Sequence, residues 1–106
     1  MNKYRTHNCN ELRKDKVGSE VILSGWINKK RDHGNLLFID LRDNYGVTQC
    51  IIDKENLNFV KLEKMQLETV IKIDGMVVNR SKETINKEIQ TGEIEVTIQN
   101  FKVLGT

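Results

Sequence analysis

The sequence contains no proline and only two cysteines, Cys9 and Cys50. They stand far apart and form no CxxC pair, which argues against a disulfide framework or a zinc site. Aromatic residues are scarce, with three Phe, two Tyr and one Trp, so each needs a reason for its place. No apolar run approaches the roughly 20 residues that a membrane helix requires. The polar start Met1-Asn2-Lys3-Tyr4-Arg5 lacks the apolar stretch of a secretory signal. The expectation is a cytoplasmic protein with reduced thiols and no membrane partner. Chemistry-bearing clusters are missing as well. There is no GxxxxGK[ST] loop to cradle phosphates, and His7 and His33 lack partners at ligand or triad spacing. Asp40 and Asp43 flank Arg42 as a structural salt bridge would, not as a catalytic acid pair. No catalytic residue and no metal site are expected.

What remains describes one small domain. The chain has 106 residues, of which 38% are apolar, enough for a single modest core. Its net charge of +2 is unevenly distributed. Residues 1–33 hold eight Lys or Arg against four acids, and the other 73 hold nine against eleven. A basic first third hints at a polyanion on one side of the fold.

Hydrophobic periodicity divides the chain further. A short polar helix is read over Asn10 to Lys16, capped by Asn10 and docked through Leu12 and Val17. Val21 to Ile27 reads as a strand that runs on through Asn28-Lys29-Lys30-Arg31, followed by an Asp32-His33-Gly34-Asn35 turn. Leu36 to Arg42 and Val47 to Asp53 follow, separated by Asp43-Asn44-Tyr45-Gly46, and the three strands form an antiparallel meander. Period three then takes over. Phe59, Leu62 and Met65, with Val60 beside them, predict an amphipathic helix within Asn56 to Gln66, capped by Asn56 or Asn58. Val70 to Val78 returns to period two, a polar connection spans Asn79 to Gly92, and Glu93 to Leu104 is the last strand. Five strands with one helix between the third and fourth match the OB-fold, an all-β Greek-key barrel. It would occupy residues 20–104 behind an N-terminal segment 1–19. A five-stranded sheet packed on one helix in another α+β arrangement is the competing layout.

Alternation separates the faces of these strands. Leu37, Ile39 and Leu41 share one face of the second strand. Phe38 lies on the other, beside Asp40 and Arg42, an odd setting for a core aromatic. Gln49 lies between Val47 and Ile51, and Glu95 among the polar residues of the last strand. An exposed ring beside basic groups suits single-stranded nucleic acid, whose bases stack on the ring while cations meet phosphates. Two readings stay open for Phe38: stacking, or cover by the N-terminal segment or a loop. Lys29, Lys30 and Arg31 read first as a solvated strand end. Trp26, among Leu23, Gly25 and Ile27, reads as packing.

Several stretches taken together resemble a known family. Gly25-Trp26-Ile27-Asn28-Lys29-Lys30-Arg31-Asp32-His33-Gly34, Leu37-Phe38-Ile39-Asp40-Leu41-Arg42-Asp43, Gly46-Val47-Thr48-Gln49-Cys50 and Thr91-Gly92-Glu93-Ile94-Glu95-Val96 are similar to the N-terminal domain of bacterial aspartyl-tRNA synthetases, collinearly from about residue 4 to 104. The resemblance implies an OB-fold that binds the tRNA anticodon. It implies that Phe38 stacks on the central anticodon base, that Arg31 and Gln49 contact that base, and that Glu95 reads the guanine at the first position. Arg80 and Asn86 match positions near the third base, and Lys29 and Lys30 are assigned to phosphates. Thr84 stands where the family often has Asn. His33 after Arg31-Asp32 looks like the members that charge both tRNA(Asp) and tRNA(Asn), although Glu83 does not match the small residue that goes with it. The full-length family enzymes are homodimeric ligases that use ATP and Mg2+ in a catalytic domain whose motifs this chain lacks. The expectation is an excised, monomeric piece that needs no cofactor and binds without catalysing. Two other classes remain: a free-standing OB module for generic single strands, and a protein-interaction module anchored by Phe38.

Overall fold

Alternating apolar residues give each strand an inner face, and the chain closes those faces on one another. The computed structural model describes residues 4–105; the first three residues of the polar N-terminus and Thr106 lie outside the described residues. Its strands are β1 (Glu20–Asp32), β2 (Leu36–Arg42), β3 (Val47–Asp53), β4 (Val70–Asn79) and β5 (Ile94–Gly105), with helix α1 (Phe59–Lys64) between β3 and β4. The strand order β1-β2-β3-β5-β4 closes as a barrel. β1 allows closure by its length. Glu20 to Trp26 runs along β4, and Trp26 to Asp32 runs along β2. A register shift between Ile27 and Lys29 bends the strand where it changes partner. A short parallel pairing, Cys50 opposite Val96 and Ile51 opposite Thr97, joins β3 to β5. This is the all-β OB arrangement expected from the order of elements, and the α+β alternative falls.

Leu23, Ile39, Leu41, Ile52, Ile73 and Ile94 are fully buried inside the barrel, and α1 adds Phe59 and Leu62 to the same core. Each such side chain contributes on the order of 2 kcal/mol by leaving water. The helix is six residues long, not the eleven of Asn56 to Gln66. It ends because Met65 turns to extended backbone (φ −69, ψ 138), and the Lys30 ammonium donates to the carbonyls of Leu62, Glu63 and Met65. Asn58 occupies the N-cap without a side-chain bond to the helix, its amide donating to Asn100 Oδ1 (3.3 Å). Asn56 instead accepts from the Asn58 N–H (2.8 Å) and donates to the Ile98 carbonyl (3.2 Å), tying the helix entrance to β5. Val60 is exposed.

The N-terminal segment also departs from expectation. Among its described residues only Lys14–Lys16 is helical, as one 3₁₀ turn with Arg13 at its N-cap. The Asn10 carbonyl accepts from the Arg13 guanidinium (2.6 Å), so Asn10 serves Arg13 and does not cap a helix. Leu12 is buried as expected, but Val17 is 39% exposed. The segment is fastened by Thr6 N–H to the Ile22 carbonyl (2.8 Å), Cys9 N–H to Asp43 Oδ2 (2.8 Å) and Thr48 Oγ1 to the Cys9 carbonyl (2.8 Å). Trp26 packs on the outside of the barrel, half-buried, because Gly25 and Ile27 hold the inward positions. Among the described residues, no helix is long and apolar enough to cross a membrane.

Both cysteines are free and buried, and burial raises both thiol pKa values well above the ordinary range. The sign of the consequence follows from proton linkage. Once pH passes about 8.5 the unfolded thiols ionise while the folded ones stay neutral, so stability is complete below that pH and falls above it. With two thiols the loss approaches about 2.7 kcal/mol per pH unit. Urea melts between about pH 8 and pH 10 are expected to show this decline, and Cys50→Ala to halve its slope. A flat profile would contradict the assignment.

Candidate nucleic-acid interface

The outer faces of β1, β2 and β3 and the connection before β5 form one open groove of about 400 Å³. Alternation sends Leu37, Ile39 and Leu41 inward and leaves Phe38 and Asp40 facing out. The register then sets Arg31 opposite Phe38, and Asp40 opposite Gln49. The hairpin at Asp32–Asn35 turns tightly. His33 N–H bonds the Leu36 carbonyl (2.9 Å), and Gly34 N–H bonds Asp32 Oδ1 (2.9 Å). Gly34 takes φ +78, in the left-handed region that favours glycine. This turn brings the His33 ring edge-on to Phe38, with centroids 5.0 Å apart at 67°. Phe38 is half-buried and lines the groove together with Lys29, Arg31, His33, Gln49 and Arg80.

A hydrogen-bond network lies under the groove. Arg31 holds Asp40 in a two-pronged pair, NH2 to Oδ1 at 2.9 Å and NH1 to Oδ2 at 3.1 Å. Its NH2 also donates to Gln49 Oε1 (3.0 Å), and Arg80 NH1 donates to the same oxygen (3.2 Å). With two guanidinium groups on its oxygen, the Gln49 amide has a defined orientation, and Nε2 donates to Glu95 Oε1 at 2.8 Å. Hydrogen bonding to Asp40 raises the Arg31 pKa. Burial lowers that of Arg80, whose guanidinium also donates to the carbonyls of Ile94 and Thr84, each at 2.8 Å.

The expected site residues are therefore distributed unequally. Arg31, His33, Phe38, Gln49, Arg80, Asn86 and Lys29 line one groove. Glu95 lies behind Gln49, 9% exposed. Lys30 is directed away, onto the helix carbonyls, and burial lowers its pKa. Asp40 and Asp43 pair with Arg31 and Arg5, not with Arg42, whose side chain is exposed. Asp43 instead organises its turn, its Oδ1 accepting from Tyr45 N–H (2.8 Å) and Gly46 N–H (3.1 Å). Asp40 was missed as a member of the groove, although its place on the Phe38 face was a usable signal. Thr84, which stands where the family often has Asn, and Ile89 also line the groove, and nothing in a polar connection singles out Ile89.

A closed five-stranded barrel carrying an aromatic ring and basic groups on one outer face defines a nucleic-acid-binding class of OB domain. The chain belongs to the family of OB-fold nucleic acid binding domains of the tRNA anticodon type, which it matches over residues 21–104. Over all 106 residues it is 74% identical to the aspartate–tRNA(Asp/Asn) ligase of Pelagibacter ubique, and covers 18% of that protein. It is 51% identical to the ligase of the same name from Phenylobacterium zucineum, over 99% of this chain and 18% of that one. The chain thus spans under a fifth of the length of these relatives. The asparaginyl-tRNA synthetase of Pyrococcus horikoshii superposes with a TM-score of 0.78 at 23% identity, over 94% of this chain and 22% of that one. The OBody AM2EP06 bound to hen egg-white lysozyme superposes at 0.83 and 20% identity, over 100% of this chain and 98% of that one. At these identities the structural likeness is one of fold.

Proposed function

We propose that this domain reads the anticodon loop of tRNA(Asp), and also that of tRNA(Asn), as part of an aspartate–tRNA ligase. The observation that carries the reading is a single open groove in which the Phe38 ring stands beside the Arg31–Gln49–Glu95 chain of hydrogen bonds. In this reading Phe38 stacks on the central base. Arg31 and Gln49 present donors to its edge. When the Gln49 amide moves aside, the Glu95 carboxylate, held behind it in this structure, accepts from the N–H groups of a guanine at the first position, a base edge that offers donors. Lys29 meets phosphate. Asn86, Arg80 and His33 border the third base, and the relaxed specificity rests on His33 and on the Asp/Asn names of relatives.

The complete enzyme would be cytoplasmic and homodimeric, and would join aspartate to tRNA using ATP and Mg2+. In this reading those groups belong to the rest of the enzyme. Among the described residues no cluster of three His, Cys, Asp or Glu able to hold a metal gathers, and the groove carboxylate Asp40 is paired with Arg31. In this reading the part this domain plays is binding, and alone it would be a monomer.

Three fluorescent hairpins test this: the aspartate loop, the asparagine loop, and a loop with the first two anticodon bases changed. The first two are expected to bind alike and the third to be rejected. Phe38→Ala is expected to weaken both matched loops by about 5- to 150-fold, the worth of one stacked base. Binding of the aspartate loop alone would remove the relaxed specificity. Equal binding of all three would leave a generic single-strand module and overturn the reading.

A further inference from the structure

Arg31 is the most accessible guanidinium in the network, and the way it is held has a consequence for selectivity. A guanidinium has five N–H groups. NH2 gives one to Asp40 Oδ1 and one to Gln49 Oε1, and NH1 gives one to Asp40 Oδ2. What is left is one hydrogen on NH1 and the Nε hydrogen. The positive charge is balanced at 2.9 Å by a carboxylate that is itself only 20% exposed. Every nucleotide of every RNA carries a phosphate, so an unbalanced arginine here would bind any strand, with an affinity set by salt. A charge-balanced arginine with two directional donors is a poor phosphate ligand and a good partner for an acceptor atom on a base edge.

We propose that Asp40 is a specificity-determining positioning residue of the groove. By engaging both prongs of Arg31 it withholds that cation from phosphates and aims its remaining donors at a base. The proposal rests on the anticodon-reading function above. It also explains an acid in the middle of a surface meant for a polyanion, where Asp40 is the only carboxylate among the described residues that line the groove.

The test is Asp40→Asn in the 106-residue chain, titrated with the aspartate hairpin and the two-base-changed hairpin across a salt series. The variant is expected to bind the changed hairpin more tightly than the parent does. Its log-affinity against log-salt slope should steepen by about 0.7, the release accompanying one more phosphate contact on a single strand. The ratio of matched to changed binding should fall about tenfold, within the worth of one bidentate contact. Equal weakening of both hairpins at an unchanged slope would make Asp40 merely structural and overturn the proposal, as would no change at all. Arg31→Lys gives an independent reading should Asp40→Asn fail to fold. Lysine keeps the charge but cannot make the two-pronged pair, so a steeper salt slope is expected together with the loss of ratio; a parental slope, with or without loss of ratio, would sink the idea. If the parent chain itself does not distinguish the hairpins, the anticodon reading fails with it; a selective parent beside an unchanged Asp40→Asn removes only this inference.

Discussion

Arg80→Met is expected to melt roughly 10–20 °C below the parent chain and to lose base selectivity in the groove together. The Arg80 residue is 8% exposed, and its guanidinium supplies donors to three oxygens: the Ile94 carbonyl, the Thr84 carbonyl and Gln49 Oε1. Methionine fills much of the volume and donates nothing. A buried acceptor left without its donor costs about 1–3 kcal/mol. Gln49 keeps Arg31, so the two carbonyls dominate the loss. Relief of the cost of burying a charge works in the opposite direction, leaving a net of about 2–4 kcal/mol. Selectivity falls for a separate reason. Arg80 ties the connection, through Thr84, to the amide that positions Glu95. Without it the Gln49 amide is fixed from one side only. Arg80→Lys is expected to recover part of the stability and little of the selectivity, since one ammonium cannot reproduce a planar fork. Thermal melts and the hairpin titration read the two effects separately. A variant that melts like the parent would show that these carbonyls need no donor.

The fold was legible because its signals are local. Strict alternation through Leu37, Ile39 and Leu41 marked β2 and its inner face, and all three residues are buried. The order of strands around one helix then left few topologies. Ends of elements were less legible because they depend on distant partners. The helix was read too long because its last carbonyls are taken by Lys30, 32 residues earlier or more, and no helical periodicity reports that. Asn10 looked like a cap until Arg13 and Gln90 were brought together, NH2 to Oε1 at 2.7 Å. The groove was partly legible. Phe38 stood out as an aromatic on the polar face, and the resemblance supplied Arg31 and Gln49, along with Glu95, which lies behind Gln49. Pairing was hidden. Asp40 is two residues from its neighbour Arg42, yet it bonds Arg31 across a hairpin, and only strand register decides between them. The inward aim of Arg80 was hidden too, since a lone arginine opening a polar connection reads as solvent-exposed.

Gly92→Ala is expected to be the more damaging of two otherwise similar glycine substitutions. A Cβ on Gly92 would lie 1.6 Å from the Asn86 carbonyl oxygen and 2.7 Å from its carbon. Both are backbone atoms, so no side chain can swing away. The contact is built in, because Asn86 N–H bonds the Gly92 carbonyl (3.0 Å) and Gly92 N–H bonds the Ile89 carbonyl (3.1 Å). Alanine must therefore open the turn that presents Asn86 and Ile89 to the groove. The neighbouring bond from Thr91 Oγ1 to the Val47 carbonyl (2.6 Å) is strained with it. The expected cost is on the order of 2–4 kcal/mol, with weaker hairpin binding beyond what the loss of stability explains. Gly18→Ala is the contrast. Gly18 takes φ +93 with nothing within 4 Å of the added Cβ, so its penalty is conformational, about 1–2 kcal/mol, and binding should not change. If Gly92→Ala melts within a few degrees of the parent and keeps its hairpin affinity, the 86–92 turn does not hold the groove in shape, and the connection contributes by composition alone. If it destabilises the barrel and also lowers affinity while Gly18→Ala does only the first, close backbone packing inside the connection shapes the Asn86 side of the groove.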